Sequence, residues 1–352
     1  MKTLLFFTLL MSISTFDQQR ENVVDFINEG VYYYDNGQYE RALKMYDKAL
    51  AIDSGYFPAI YEKGMTLYAL HRYSEAIDYS KKAINAGKKD KDALENAYIL
   101  YGNTLDESGK PQEALNAYNK GLKKKPESYL LNFNKGVALS RLGRYDEALA
   151  SLWKAVTLNP NHPGSHSLIG KIEIIRNNRI PAAMALARFF TLEQRGARAE
   201  ENLRRLKAIV DSWVVRKDEN TFSINVYVTP KTIKGKKKKD NDFSIMDMSL
   251  PIAIAGKAMK ERNNENDIIQ FIDRFELFCS IINGSLKDNS GFYWKYYVPY
   301  FAQMSEKEFS GTLARIVFVS TGDISIIEWL NFNKELVNDF FKWSQDFPWN
   351  NK

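Results

Sequence analysis

The chain has 352 residues, of which 45% are hydrophobic and 26% are charged, and its formal net charge is +6. This length is enough for two domains, and the hydrophobic fraction is that of a folded globular protein. The modest charge argues against nucleic-acid binding, because much of it comes from one lysine-rich stretch and not from a basic face. A single cysteine, Cys279, excludes an intrachain disulfide, so the core must supply the stability.

Residues 1–17 have the pattern of a secretory signal peptide. Lys2 precedes an apolar run from Leu4 to Leu10 that is interrupted only by Thr8, as in such peptides. The run is far shorter than the roughly 20 apolar residues that span a bilayer, so no membrane span is predicted. The alternative is an apolar N-terminal helix packed on the following domain. The signal peptide predicts an exported protein of the periplasm or cell envelope.

A glycine recurs at almost constant spacing through the first half of the chain. It occurs at Gly30, Gly64, Gly102, Gly136 and Gly170, which are 34, 38, 34 and 34 residues apart. A fixed period in this range predicts a solenoid built from repeated helix pairs. The longer second step indicates a lengthened loop between two units.

Each unit is predicted to form two amphipathic helices joined by a short turn. Small residues recur at two further positions, at Ala42, Ala76, Ala114 and Ala148, and at Ala49, Ala83, Gly121 and Ala155. This pattern closely resembles the tetratricopeptide repeat (TPR) over roughly half of the chain. The resemblance implies a mainly α fold, a solenoid of helix-turn-helix units. The units start near residues 23, 57, 95 and 129, with a degenerate one near residue 163.

The fifth unit departs from the repeat, since Phe189 stands where a small residue is usual. Terminal repeats are commonly atypical because they cap the stack. A further helix from Ala197 to Val210 is predicted to complete this cap. The array is therefore predicted to span 22–215.

The resemblance implies that positions 2, 5, 6, 9, 12 and 13 of each unit face a ligand. One subclass of the family grips a carboxylate there with Lys and Asn, and this chain departs from it with Ile27 and Glu62. The predicted peptide-binding groove consists of Tyr34, Tyr61, Met65, Tyr68, Ile99, Asn103, Phe133 and Asn134. Aromatic side chains suit anchor positions because they offer a large contact area. Packing against neighbouring helices is the alternative role, and a glycan is an alternative ligand.

Residues 216–352 are predicted to form a mostly helical domain with a small β-hairpin at 221–248. Apolar and polar residues alternate from Phe222 to Val228, which indicates a strand, and Phe243 opens a second apolar segment. The lysine-rich tip between them could attract anionic lipid or nucleic acid, or be a solvated loop. The predicted helices are 250–261, 266–283, 291–303, 306–319 and 324–345. This order of elements resembles uncharacterised exported bacterial TPR proteins.

The sequence contains no recognisable catalytic, metal or cofactor motif. His162 and His166 are four residues apart, but Pro163 and Gly164 lie between them and no nearby Cys or His completes a metal site. Cys279 lies in an apolar segment without a histidine, as expected of a core residue.

We therefore predict a non-catalytic scaffold that needs no cofactor and binds a protein or peptide partner. No nucleic-acid partner is predicted, and the sequence leaves the oligomeric state open. The alternative is that the C-terminal domain is a glycan-binding module or a hydrolase carried on the repeats.

Overall fold

The computed structural model describes residues 22–216, 222–225, 240–260, 266–285 and 290–349. The predicted signal peptide and the lysine-rich tip of the predicted hairpin lie outside these ranges. The chain divides into two compact units, Met1–Leu158 and Asn159–Lys352.

Residues 22–158 form eight helices arranged as four helix-turn-helix pairs. The pairs are α1 (22–35) with α2 (Tyr39–Ile52), α3 (Phe57–Ala69) with α4 (Tyr73–Ala86), α5 (Lys91–Glu107) with α6 (Pro111–Lys124), and α7 (Tyr129–Arg141) with α8 (Tyr145–Leu158). The predicted solenoid of helix pairs is thus confirmed.

The recurring glycine lets the two helices of a pair approach closely. A Cβ atom placed on Gly102 would lie 2.1 Å from Cε1 of Tyr118, and one on Gly136 would lie 2.8 Å from Cγ of Leu152. Glycine therefore makes room for a large side chain of the second helix. Such crowded sites resist larger residues because overpacking typically costs about 1–3 kcal/mol.

The turn within each pair contains a residue with left-handed backbone. Gly37, Gly109 and Gly143 have φ angles of 71°, 80° and 70°, whereas His71 takes the equivalent position with φ 57°. Glycine adopts this conformation without steric penalty, so His71 strains the second turn.

The second unit begins with the fifth helix pair. Its elements are α9 (Pro163–Ile175), α10 (Arg179–Phe190), α11 (Ala197–Ser212), β1 (Val214–Arg216), β2 (Phe222–Ile224), α12 (Ser244–Lys260), α13 (Asp267–Gly284), α14 (Phe292–Tyr296), α15 (Val298–Glu306), α16 (Ser310–Ile316), a 3₁₀ turn (Val319–Thr321), α17 (Ile324–Phe332) and α18 (Lys334–Asp346).

The fifth pair packs with the C-terminal helices. Every residue of α10 from Ile180 to Phe190 is buried, as expected of a helix at the centre of a core. Tyr293 Oη donates a hydrogen bond to Glu173 Oε1 at 2.5 Å, and the Tyr297 hydroxyl lies 2.6 Å from His166 Nδ1. These contacts explain why the boundary between the compact units precedes the fifth pair, whereas the sequence placed a domain boundary after the capping helix.

The hairpin prediction over 221–248 is wrong in its second strand. β2 does form, but it pairs antiparallel with the preceding β1, with Val214 opposite Ile224. The apolar segment at Phe243 leads instead into α12. Phe243, Met246 and Leu250 are buried while Ile245 is 68% exposed, which is the spacing of one helix face.

Two of the predicted C-terminal helices are interrupted in the structure. The span 291–303 divides at Tyr297 into α14 and α15, because Pro299 lies at the start of the second helix. The span 324–345 divides at Asn333 into α17 and α18. Buried aromatic rings fill this unit, and the Phe271 and Phe275 rings stack with centroids 5.9 Å apart.

Candidate partner-binding face

The eight predicted groove residues all lie on the first helices of the four pairs in the first compact unit. Tyr34 is on α1, Tyr61, Met65 and Tyr68 are on α3, Ile99 and Asn103 are on α5, and Phe133 and Asn134 are on α7. Each is half-buried. Their side chains are thus held in place by neighbours and still reach the surface.

Two of these side chains, Tyr34 and Tyr61, lie close enough to the Glu62 carboxylate to interact with it electrostatically, as does Asp35. We call Tyr34, Asp35, Tyr61 and Glu62 the Glu62 cluster. The Tyr61 ring stacks on Phe57 with centroids 5.7 Å apart, and burial raises the pKa of Tyr61 to about 12, with a further contribution from the Glu62 carboxylate. Burial, followed by the charge of Asp35, raises the pKa of Glu62. The cluster is therefore a negatively charged site bounded by aromatic rings.

No hydrogen bond or ion pair to the carboxylate of Asp35 or Glu62 is formed by any residue that the structure describes. Both carboxylates therefore keep their full capacity to accept hydrogen bonds. Asp35 is exposed, whereas Glu62 is half-buried and has lost part of its hydration without gaining a partner.

A second group contains Tyr68 and Arg141; we call Tyr68, Asp106, Glu107 and Arg141 the Arg141 cluster. Arg141 Nη1 donates to Asp106 Oδ2 at 2.6 Å, and Nη2 donates to Glu107 Oε1 at 2.7 Å. Burial, followed by the charge of Glu107, raises the pKa of Tyr68, and Arg141 partly opposes this shift. The carboxylates of the Arg141 cluster are thus paired with a cation within the repeats, unlike those of the Glu62 cluster.

Asn103 is also engaged inside the repeat, since it accepts a hydrogen bond from the Tyr118 hydroxyl at 2.8 Å. This contact supports a packing role for that predicted groove residue. Sequence reasoning gave no site role to the charged residues Asp35, Glu62, Asp106, Glu107 and Arg141. Listing the charges at the repeat positions that the family resemblance implies face a ligand would have found all of them.

The reactive side chains of the second unit are engaged in its core. Cys279 is fully buried, and burial raises the pKa of its thiol to about 12, which favours the protonated thiol over the reactive thiolate at neutral pH. The ring of His166 lies within hydrogen-bond distance of Tyr297 Oη through Nδ1 and of the Pro160 carbonyl oxygen through Nε2. Within the described ranges, no group of three or more His, Cys, Asp or Glu side chains is placed to hold a metal ion.

None of the helices that the structure describes is both long enough and apolar enough to cross a membrane.

The fold and this face define a helical repeat scaffold. Three tetratricopeptide repeat models match the chain, at residues 25–56, 56–127 and 102–163. The protein is thus a tetratricopeptide repeat protein, as the glycine period predicted. Repeats of this kind indicate a scaffold for protein–protein interaction.

Two curated proteins are similar to about half of the chain. The human protein O-mannosyl-transferase TMTC1 is 26% identical over 181 residues, which are 50% of this chain and 20% of that protein. The TPR repeat-containing protein MJ1428 of Methanocaldococcus jannaschii is 28% identical over 167 residues, 44% of this chain and 29% of that one. The chain thus spans less than a third of either relative.

A similar solved structure is that of YrrB, described as a TPR protein with an unusual peptide-binding site. It is 24% identical, covers 55% of this chain and 97% of its own, and superposes with a TM-score of 0.40.

Proposed function

We propose that the protein is a non-catalytic scaffold whose repeats bind a partner peptide or protein along the face formed by the first helices. The binding residues would be Tyr34, Tyr61, Met65, Tyr68, Ile99, Asn103, Phe133 and Asn134. In this proposal the array spans 22–215, and a C-terminal domain, 216–352, anchors or extends the assembly.

The observation that carries the proposal is the half-burial of aromatic side chains on this face. Tyr34, Tyr61 and Tyr68 hold fixed positions through contacts with neighbouring rings, yet part of each ring remains accessible. Aromatic anchors of this kind contribute strongly to binding because they lose little entropy when a partner covers them.

The test is a pull-down with the full chain and a variant that carries Tyr61→Ala, Tyr68→Ala and Phe133→Ala. We expect the folded variant to lose the partners of the wild type. The control removes apolar side chains that are at least 38% exposed elsewhere on the same unit, with Tyr32→Ala, Ile52→Ala and Leu142→Ala. Partners retained by the first variant would overturn the groove assignment.

We further propose that the protein is exported to the periplasm or cell envelope. The signal-peptide pattern of residues 1–17 supports this localisation. Intact-mass measurement of the protein from the envelope fraction should show loss of the N-terminal segment. A mass that still includes Met1 would contradict the proposal.

A glycan-binding C-terminal domain has less support. Sugar recognition needs exposed aromatic faces. Tyr297, Tyr300 and Phe301 are buried in the core, and although Phe332 is 90% exposed, no contact places a second exposed ring beside it in the part of the chain that the structure describes.

A further inference from the structure

The partner-facing positions of the four repeat pairs have a charge opposite to that of the whole chain. The charged residues at positions 2, 5, 6, 9, 12 and 13 are Asp35, Glu62, Asp106, Glu107 and Arg141. Four of them are acidic in a chain whose formal charge is +6. Complementary charge steers a partner to a site and fixes its register.

The negative charge is concentrated at one end of the face. In the Arg141 cluster the guanidinium already pairs with both neighbouring carboxylates. In the Glu62 cluster nothing in the described ranges neutralises Asp35 or Glu62. At the end of the face formed by α1 and α3, the carboxylates are therefore left without a cation among the described residues.

The aromatic rings beside these carboxylates favour the same kind of group. Tyr34 packs edge-on against Tyr39 with centroids 5.3 Å apart, and Tyr61 stacks on Phe57. Ring faces attract ammonium and guanidinium groups, and carboxylates accept hydrogen bonds from them. One cationic side chain could therefore be bound by the carboxylates and the rings together.

We propose that the Glu62 cluster binds a lysine or arginine side chain of the partner segment, with Glu62 as the principal acceptor. This inference rests on the proposed function, because it assigns the chemistry of one end of the proposed binding face. The polarity is opposite to that of the carboxylate-gripping subclass, because Glu62 places an anion on the face where that subclass binds one.

The test starts with a phage-displayed library of random dodecapeptides panned against the full chain. We expect the enriched peptides to share a lysine or arginine within an apolar context. Kd is then measured for one synthetic peptide and for an analogue in which norleucine or citrulline replaces the basic residue. Glu62→Gln and the loss of the basic residue should each weaken binding at least about 10-fold.

The two losses should not add in a double-mutant cycle, since each removes the same interaction. Glu113→Gln, which changes the net charge equally but lies at an exposed position of α6, should leave Kd unchanged. Glu62→Lys should prefer a peptide with glutamate in place of the basic residue. Circular dichroism confirms that each variant is folded.

Peptides that bind wild type and Glu62→Gln equally, but not the Tyr61, Tyr68 and Phe133 variant, would overturn the cation assignment and leave the groove proposal standing. Peptides that bind all three proteins equally would overturn the proposed function itself.

Discussion

Glu62 and Glu173 lie on the first helices of two repeat pairs, α3 and α9, and have opposite surroundings. Glu173 is 2% exposed and accepts hydrogen bonds from the Tyr293 hydroxyl and from the Asn178 amide, both at 2.5 Å. Glu62 is half-buried, and its carboxylate has no hydrogen-bond or ion-pair partner among the described residues. The same residue type is therefore part of a closed core in the fifth pair and an open acceptor in the second.

If the proposed function is right, this difference gives the same repeat pattern two roles, packing in the fifth pair and binding in the second. A buried carboxylate is tolerated when hydrogen bonds satisfy it, and the partners of Glu173 come from its own turn and from the C-terminal helices. A partly buried carboxylate without partners costs stability, and that cost is recovered when a ligand supplies the missing positive charge. We expect substitutions in the fifth pair to change stability and those on the open face to change binding.

Removing the buried guanidinium of the fifth pair should have the largest effect. Arg188 is 1% exposed, and it donates to Ser344 Oγ at 2.9 Å and to Asn161 Oδ1 at 2.8 Å. Arg188→Ala should lower the free energy of unfolding by about 3–5 kcal/mol, because it leaves a cavity and unsatisfied acceptors. Urea unfolding of the full chain measures this loss. A change below about 1 kcal/mol would mean that the second unit does not depend on the contact.

Acid should weaken the fifth pair through His166. Burial, followed by the charge of Arg188, lowers the pKa of His166 to about 3. Between about pH 6.5 and pH 3 the unfolded chain binds a proton that the folded chain does not, so stability falls as pH falls. This group should contribute a loss of about 3 kcal/mol between pH 7 and pH 4.

The contribution is measured as the difference in pH dependence between the wild type and His166→Gln. The subtraction removes the opposite effect of Asp247, whose pKa burial raises to about 7 despite the opposing charge of Arg179. Equal slopes for the two proteins would contradict the burial of a neutral imidazole.

Packing of the open repeats is tested at the recurring glycine. Gly102→Ala should lower the free energy of unfolding by about 1–3 kcal/mol, since the added methyl group overlaps the Tyr118 ring. Gly256 lies within α12 with no atom within 4 Å of an added Cβ. Gly256→Ala should therefore raise stability by up to about 1 kcal/mol. Denaturant titration measures the free energy of unfolding of both variants. A change of the same sign in the two variants would refute the packing argument.

The smallest effect is expected at the strained turn. His71→Gly should stabilise the first unit by up to about 1 kcal/mol, because glycine adopts a positive φ without crowding. The loss of the 2.7 Å contact between His71 Nδ1 and the Tyr73 hydroxyl offsets part of this gain, since both groups are exposed. Thermal unfolding monitors the change, and a lower midpoint would show that the contact outweighs the strain.

The first unit could be predicted from sequence because its contacts are local. Gly102 and Tyr118 lie in one helix pair, so a regular spacing encodes their packing. The same spacing recurs in the other pairs, and each recurrence supports the prediction again. The C-terminal helices have no such redundancy. The ring of Phe243 stacks on Trp294 with centroids 4.4 Å apart, and this long-range contact favours a helix where alternation suggested a strand.

The residue types of the candidate site were predictable from the sequence, but the pairing of its charged side chains was not. Tyr34 and Tyr61 follow from repeat positions. That Asp35 and Glu62 lack cations, while Arg141 pairs with two carboxylates, depends on which side chains of successive repeats meet in space. The sequence contains these residues without showing how they pair.

The most direct test of the account compares Glu62→Gln with Glu173→Gln by the Kd of one peptide selected on the open face. We predict that Glu62→Gln weakens binding at least about 10-fold and leaves the free energy of unfolding equal or slightly higher. Glu173→Gln should keep Kd within about 2-fold while lowering the free energy of unfolding by about 1–3 kcal/mol. Equal losses of affinity in the two variants would contradict the division between an open binding face and a closed core.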